Sequence, residues 1–298
     1  MIRTQLFNIL NNEQTKFDFL IANNLLQSEH MCSKCGARKQ IIDLINRRCN
    51  LRYNGIKCLA QESIFKNSIF ENAKIDVSTV LFLLYEWCVN IPTCDAAVEY
   101  NCSQSTVSIW YKKFRAISVI IYNTFLNEPI GGENIIVQID ETCLVKNKYH
   151  QGRILSNQKW IFAGVVLGDH SKCFFEYVVR RNEETLLDVI RRKILPGTII
   201  MSDMWGGYQN IENRLPEYGY RHFTVNHSEN FVNPITGAHT QSIESFWSVT
   251  KRNLRKKGTN NGEFEEIQNK IKENLFKTEY KLNKFEKMIE MIGHIYED

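Results

Sequence analysis

The chain has 298 residues, 43% hydrophobic and 23% charged, with a formal net charge of +4. That composition describes a globular protein long enough for two or three small domains. It excludes a bitopic membrane protein, since no apolar run reaches the roughly 18 residues a helical span needs. The longest run, VLFLLYEWCV, is interrupted by Glu86. The N-terminus has no apolar core followed by a small-residue cleavage site, so no secretory signal is expected. Nine cysteines, an odd number without a signal, argue against a disulfide framework.

Residues 1–28 read as an amphipathic helix with Phe7, Leu10, Phe17, Leu20 and Leu25 on its apolar positions. Cys32 and Cys35 then form C-x2-C, followed by Gly36, and Cys49 and Cys58 complete C-x2-C-x13-C-x8-C. The short first spacing lets two thiolates grip one tetrahedral Zn2+, and the glycine eases the tight turn. The expectation is a structural zinc ribbon with a lengthened second knuckle. The alternative is four reduced, unliganded cysteines. Arg38, Lys39, Arg47, Arg48, Arg52 and Lys57 lie around these cysteines and suit phosphate contact. Cys88, Cys94, Cys102, Cys143 and Cys173 read as small buried residues.

Residues 64–92 read as helix. A short helix from Ala96, a turn at Asn101-Cys102-Ser103 and a second helix carrying Val107, Trp110, Tyr111 and Phe114 make a helix-turn-helix pattern. Its second helix would offer Gln104, Ser105, Thr106 and Ser108 to base edges, with Lys112, Lys113 and Arg115 near phosphates. Phe125 to Gly132 marks a boundary.

IIVQIDET (135–142) is a buried strand ending abruptly in Asp140 and Glu141. WIFAGVVL (160–167) and CFFEYVV (173–179) continue an antiparallel meander. NEETLLDVIRRKIL (182–195) is an amphipathic helix with acids first and bases last, as the helix dipole prefers. TIIMSD (198–203) is another strand ending in an aspartate, Asp203, and YRHFTVN (220–226) is the fifth strand. QSIESFWSVTKRNLRKKG (241–258) is a helix with a buried stripe of Ile243, Phe246, Trp247 and Leu254, and with Glu244, Lys251 and Arg255 near one another. Residues 259–298 read as helical.

The order β-β-β-α-β-α-β-α is that of an α/β, mixed-sheet, RNase H-like core. In it the first and fourth strands are neighbours, so Asp140 and Asp203 would meet, and Glu244 would reach in from the helix. Three gathered carboxylates repel one another without metal. They suit Mg2+ or Mn2+, hard cations that take oxygen ligands, and two such ions serve phosphoryl transfer. Glu141 would point to the opposite face in a supporting role. His227 and His239 read as caps or core residues, or else as groups positioning DNA or a metal ligand; Trp205 and Tyr208 read as packing, or else as a stacking platform for a base of a distorted DNA end; and Arg252, Arg255, Lys256 and Lys257 form a basic run able to meet phosphate.

QIDET, KYHQGR, WIFAGV, PGT, SDMWGGY, TVNHSENFVNPITGAHTQSIESFW and KR stand in order between Ile135 and Lys257. In these words the chain resembles the ISXO2-like transposases, which include Merlin-type elements. The zinc ribbon and helix-turn-helix resemble that family's N-terminal half. The resemblance implies a DDE-type cut-and-paste transposase acting on double-stranded DNA, both element ends and target, as a homodimer or higher oligomer. It places Asp140, Asp203 and Glu244 as the metal-binding catalytic triad, and Lys251 as the lysine that follows on the same helix. Where the family usually carries HTN this chain reads His239-Thr240-Gln241, so an asparagine ligand is absent and Glu244 is the expected third acid. The implied location is the nucleus of a eukaryote or otherwise the nucleoid, not the membrane or the exterior. The rival readings are a domesticated, non-catalytic DNA-binding protein and an RNase H-like nuclease without a role in transposition. The expected division is 1–62 (N-terminal helix and zinc ribbon), 63–128 (helical DNA-binding region), 133–260 (catalytic domain) and 261–298 (C-terminal helical segment).

Overall fold

The computed structural model describes every residue except 28, 33, 37, 41–46, 49–51, 54–55, 59–60, 144–159, 227–238, 257–263 and 297–298. The chain divides into two compact units, Met1–Ile121 with Tyr280–Asp298, and Tyr122–Glu279. No helix among the described residues is long and apolar enough to cross a membrane.

In the first unit, two helices, α1 (Arg3–Leu10) and α2 (Glu13–Ala22), replace the single helix expected over 1–28. The break is local. Asn12 is extended, and its side chain accepts from the backbone N–H groups of Gln14 and Thr15, capping α2. Phe7 consequently lies 53% exposed instead of joining an apolar stripe. Short antiparallel ladders follow: β1 (Glu29–Met31) pairs with β2 (Arg38–Gln40). Of β3 (Arg47–Arg48), β4 (Arg52–Tyr53), β5 (Ile56–Lys57) and β6 (Gln61–Glu62), β3 pairs with β6 and β4 with β5.

The helix expected over 64–92 is confined to α3 (Val77–Cys88). Ahead of it, Asn67 and Asn72 adopt positive φ, which Asn tolerates and a helix does not. Asp76 accepts from Ser78 N–H and starts the helix. Helices α4 (Thr93–Glu99) and α5 (Gln104–Ile121) flank a turn in which Asn101 has φ 48° and Cys102 N–H reaches back to Ala97 O at 2.9 Å. Trp87, Val107, Trp110 and Phe114 bury the interface of α3 and α5.

The second unit is built on a five-stranded mixed sheet. A π-helical turn (Tyr122–Leu126) leads to β7 (Ile130–Gly131), β8 (Ile136–Cys143), β9 (Trp160–Val166) and β10 (Asp169–Val178). After α6 (Glu183–Lys193) come β11 (Ile194–Leu195), which pairs with β7, and β12 (Ile199–Asp203). Then follow α7 (Ile211–Arg214), β13 (Arg221–Val225), α8 (Gln241–Lys256) and α9 (Phe264–Glu279). The sheet order is β10-β9-β8-β12-β13. The first three strands are antiparallel neighbours, while β12 runs parallel to both β8 and β13. This is the RNase H-like order, with the first and fourth strands of the sheet side by side.

Period-two alternation assigns each strand residue to one of two cores. Val137, Ile139, Phe162, Phe174 and Ile200 face α6, packing on Leu186, Val189 and Ile190. Ile161, Ala163, Val165, Cys173 and Phe175 face α8 and α9, packing on Ile243, Phe246, Trp247, Leu254 and Ile271. The stripe expected on α8 is thus its buried face. Gly164 is required by close approach, because a Cβ there would stand 2.3 Å from Phe174 Cε1. The first unit is completed by α10 (Lys284–Ile295), whose Phe285, Met288, Ile289 and Ile292 are buried.

Candidate functional site

Asp140 and Asp203 are brought to the same place by strand register. The parallel pairing of β8 and β12 matches Ile199 with Ile136, Ile200 with Val137 and Met201 with Gln138. Two residues further along each strand stand Asp140 and Asp203. By alternation they share the face of Gln138, toward α8. Asp140 is pushed up to about 7, first by burial, then by the neighbouring charges of Glu141 and Asp203; the ammonium of Lys251 on α8 pulls the other way. A buried acid beside a second acid is unfavourable for folding alone. These hard oxygen donors, with a lysine opposite, fit a divalent Mg2+ or Mn2+ ion.

Glu244 lies in the first turn of α8, exposed, with Oε1 accepting the Thr240 hydroxyl at 2.8 Å. The three carboxylates are therefore not brought into one cluster. Among the described residues, the cysteines discussed below form the group of three or more candidate ligands whose donor atoms lie within 4.8 Å of one another. Gln241, which replaces the family's asparagine, is exposed at the start of α8. Arg252 and Arg255 are exposed on the same helix. His227 lies outside the described residues, as do Lys257 and the 146–153 loop.

Sequence reasoning left Glu141 without partners. It lies on the α6 face, where its side chain is 4% exposed. The Tyr208 hydroxyl donates to Oε2, and Arg181 Nη1 donates to Oε1 at 3.2 Å. Burial raises the Glu141 carboxyl, and these two donors oppose that rise. The guanidinium of Arg181 lies 4.3 Å from the Trp160 ring centroid and 5.1 Å from that of Trp205. The backbone N–H of Trp205 donates to Asp203 Oδ1 at 3.1 Å. Trp205 and Tyr208 thus act as packing, as expected, and tie the turn after Asp203 to the strand of Asp140. The signal available in sequence was the placement of MWGGY directly after the strand.

In the first unit, Cys32, Cys35 and Cys58 gather their sulfurs within 4.8 Å of one another. Cys32 and Cys58 Sγ stand 3.8 Å apart. That is far beyond a disulfide length of about 2.05 Å. It matches the edge of a tetrahedron of thiolates at about 2.3 Å from zinc. Gly36, with φ +66°, gives its N–H to Cys32 O at 2.8 Å and folds C-x2-C into a knuckle. Cys49 lies outside the described residues, as do the side chains of Arg38, Lys39, Arg47, Arg48, Arg52 and Lys57. The other cysteines divide. Cys88, Cys143 and Cys173 are buried, whereas Cys94 is exposed and Cys102 half-buried. Both sit at the edges of the α4 turn, where their thiols meet Asp95 Oδ1 and Tyr100 O, each at 3.3 Å.

Gln104, Ser105 and Thr106 form the first turn of α5, with Gln104 and Ser105 exposed. Ser103 Oγ accepts from Thr106 N–H at 3.1 Å and caps that turn. Lys112 and Lys113 are exposed on the same helix, and Lys113 Nζ lies 4.4 Å from the Trp110 ring centroid.

Comparison with known proteins matches residues 128–264 to the family described as the ISXO2-like transposase domain. An uncharacterized transposase-like protein of Haemophilus influenzae is 36% identical over 90 residues, which is 28% of this chain and 66% of that protein. The catalytic core of HTLV-2 integrase, solved with magnesium in a trimeric form, covers 51% of this chain and 86% of its own length at 17% identity and TM-score 0.31. The catalytic core of BIV integrase covers 50% and 82% at 16% identity and TM-score 0.29. Residues 128–264 thus match the ISXO2-like transposase domain family that the sequence words resemble.

Proposed function

We propose that this chain is a DDE-type DNA transposase that cleaves the ends of a cut-and-paste element and joins them to target DNA. The observation that carries the reading is the register of β8 and β12, which sets Asp140 and Asp203 at corresponding positions in a domain of a transposase family. Asp140, Asp203 and Glu244 would hold Mg2+ or Mn2+, as two ions. When bound, the ions supply a Lewis acid for the phosphodiester and lower the barrier to forming the attacking hydroxide. Glu244, whose Oε1 accepts the Thr240 hydroxyl, would reach the ions by a change of rotamer.

The remaining chemistry belongs to the chain. Lys251, whose charge favours ionised Asp140, keeps that carboxylate available and holds a DNA phosphate near it. Arg252 and Arg255, exposed on the same helix, neutralise further phosphates. Hydrolysis at the element end leaves a 3′-hydroxyl. That hydroxyl then attacks a target phosphodiester, breaking one P–O bond as another forms. Cys32, Cys35, Cys49 and Cys58 would hold a structural Zn2+. The capped turn of α5, with Gln104, Ser105 and Thr106 toward base edges and Lys112 and Lys113 toward phosphates, would read the ends as the second helix of a helix-turn-helix. A dimer or higher oligomer would pair two ends.

The test is metal-dependent nicking of duplexes that carry the inverted repeats flanking the gene. Wild-type activity that is lost in Asp140→Asn supports the reading, and cleavage that persists in that variant removes it.

A further inference from the structure

We propose that Gln138 is a positioning residue that fixes the start of the Glu244 helix against the strand of Asp140. The proposal rests on the reading of Asp140 and Glu244 as partners in one metal-holding site. Gln138 lies two residues before Asp140 on β8, faces α8, and is 0% exposed. Its Oε1 accepts two backbone N–H groups from the first turn of α8, Ser242 at 2.8 Å and Ile243 at 3.1 Å. Its Nε2 donates to His239 Nδ1 at 3.2 Å.

Every helix begins with N–H groups that have no partner inside the helix. The residue just ahead of the helix normally supplies the acceptor. In α8 that residue is Thr240, and its hydroxyl is turned to Glu244 Oε1. The acceptor comes instead from a strand more than a hundred residues earlier in the chain. The beginning of α8 is therefore anchored to the sheet rather than to its own loop. Glu244 follows directly after one of the two anchored amides, so rotation or sliding of α8 would have to break these bonds. His239, held by the other end of the same amide, fixes the chain entering the helix.

The amide suits this place better than its neighbours in size or charge. A methionine fills the volume but offers no strong acceptor. A glutamate accepts both N–H groups but adds charge beside Asp140 and Asp203. Glutamine supplies acceptor and donor together with no charge.

The experiment compares Gln138→Met with Gln138→Glu. Amide hydrogen exchange over residues 240–246 is measured on metal-free protein, alongside the metal concentration that half-saturates cleavage. In Gln138→Met, exchange at Ser242 and Ile243 is expected to quicken about tenfold, in line with loss of a cap, while amides of β9 keep their rates. The half-saturating metal concentration is expected to rise about tenfold or more, as for other residues that orient metal ligands. Gln138→Glu, which still accepts both N–H groups, is expected to keep the wild-type exchange at Ser242 and Ile243. Wild-type exchange in Gln138→Met, or equally quickened exchange in the two variants, overturns the proposal. Should Gln138→Met fail to fold, Gln138→Glu decides: protected Ser242 and Ile243 amides support the anchor, and unprotected ones overturn it. An Asp140→Asn chain that still cleaves DNA would remove the catalytic reading, while the exchange result judges the anchor by itself.

Discussion

Replacing Asp140 by Asn should stabilise the metal-free protein, although it removes a residue central to the proposed activity. The Asp140 carboxyl is moved from an ordinary 3.8 to about 7. At about 1.4 kcal/mol per pH unit, that displacement corresponds to a ceiling of about 4 kcal/mol. Relaxation and water entry around the ionised acid reduce the expected gain to about 1–3 kcal/mol. The sign follows from proton uptake. The folded chain binds a proton at Asp140 more tightly than the unfolded chain does. The penalty is therefore absent below about pH 4, grows between about pH 4 and pH 7, and is fully present above. Urea unfolding without divalent cations, at about pH 5 and about pH 8.5, measures it. Wild type should lose stability between the two, and Asp140→Asn should lose less. A residual slope is expected from Glu141, which burial also raises. Saturating Mg2+ should restore about 2.7 kcal/mol to wild type at a hundredfold excess over its dissociation constant, and nothing comparable to the variant. A variant less stable than wild type at about pH 8.5 would refute the claim that this acid is held at the expense of folding.

Two further predictions concern the surroundings. Tyr208→Phe removes a hydroxyl donor from the buried Glu141 carboxylate and should destabilise the protein by about 1–3 kcal/mol in urea; a change within about 0.5 kcal/mol would make that hydrogen bond irrelevant to stability. Purified wild-type chain should carry one zinc ion measured by metal analysis, and Cys58→Ser should lose it, since Cys58 stands within ligand distance of Cys32 and Cys35. Full zinc occupancy in that variant would contradict the cysteine site.

The second unit was legible because its elements are long and regular in pattern. IIVQIDET, WIFAGVVL and TIIMSD became β8, β9 and β12, and the α8 stripe of Ile243, Phe246, Trp247 and Leu254 became the buried face. Two strand-ending acids in an order that makes their strands neighbours were enough to pair Asp140 with Asp203. What remained hidden was local polar chemistry and distant partnership. Asn12, used as a cap, split the first helix, and Asn67 and Asn72 at positive φ held residues 64–76 out of the third. Gln138 is a polar residue within an apolar strand, and its partners lie more than a hundred residues away. Tyr208 and Arg181 similarly reach Glu141 across gaps that no periodicity encodes. Glu244 accepts the hydroxyl of Thr240, a contact that helix phase does not encode.

The most direct measurement is cleavage of a labelled duplex carrying the element's inverted repeat, with and without Mg2+ or Mn2+, by wild type, Asp140→Asn, Asp203→Asn and Glu244→Gln. The account predicts metal-dependent nicking by wild type and a loss of about a hundredfold or more in each variant, as removing several kcal/mol of transition-state stabilisation requires. Cleavage that survives in Asp140→Asn, or that proceeds equally without divalent metal, would contradict it.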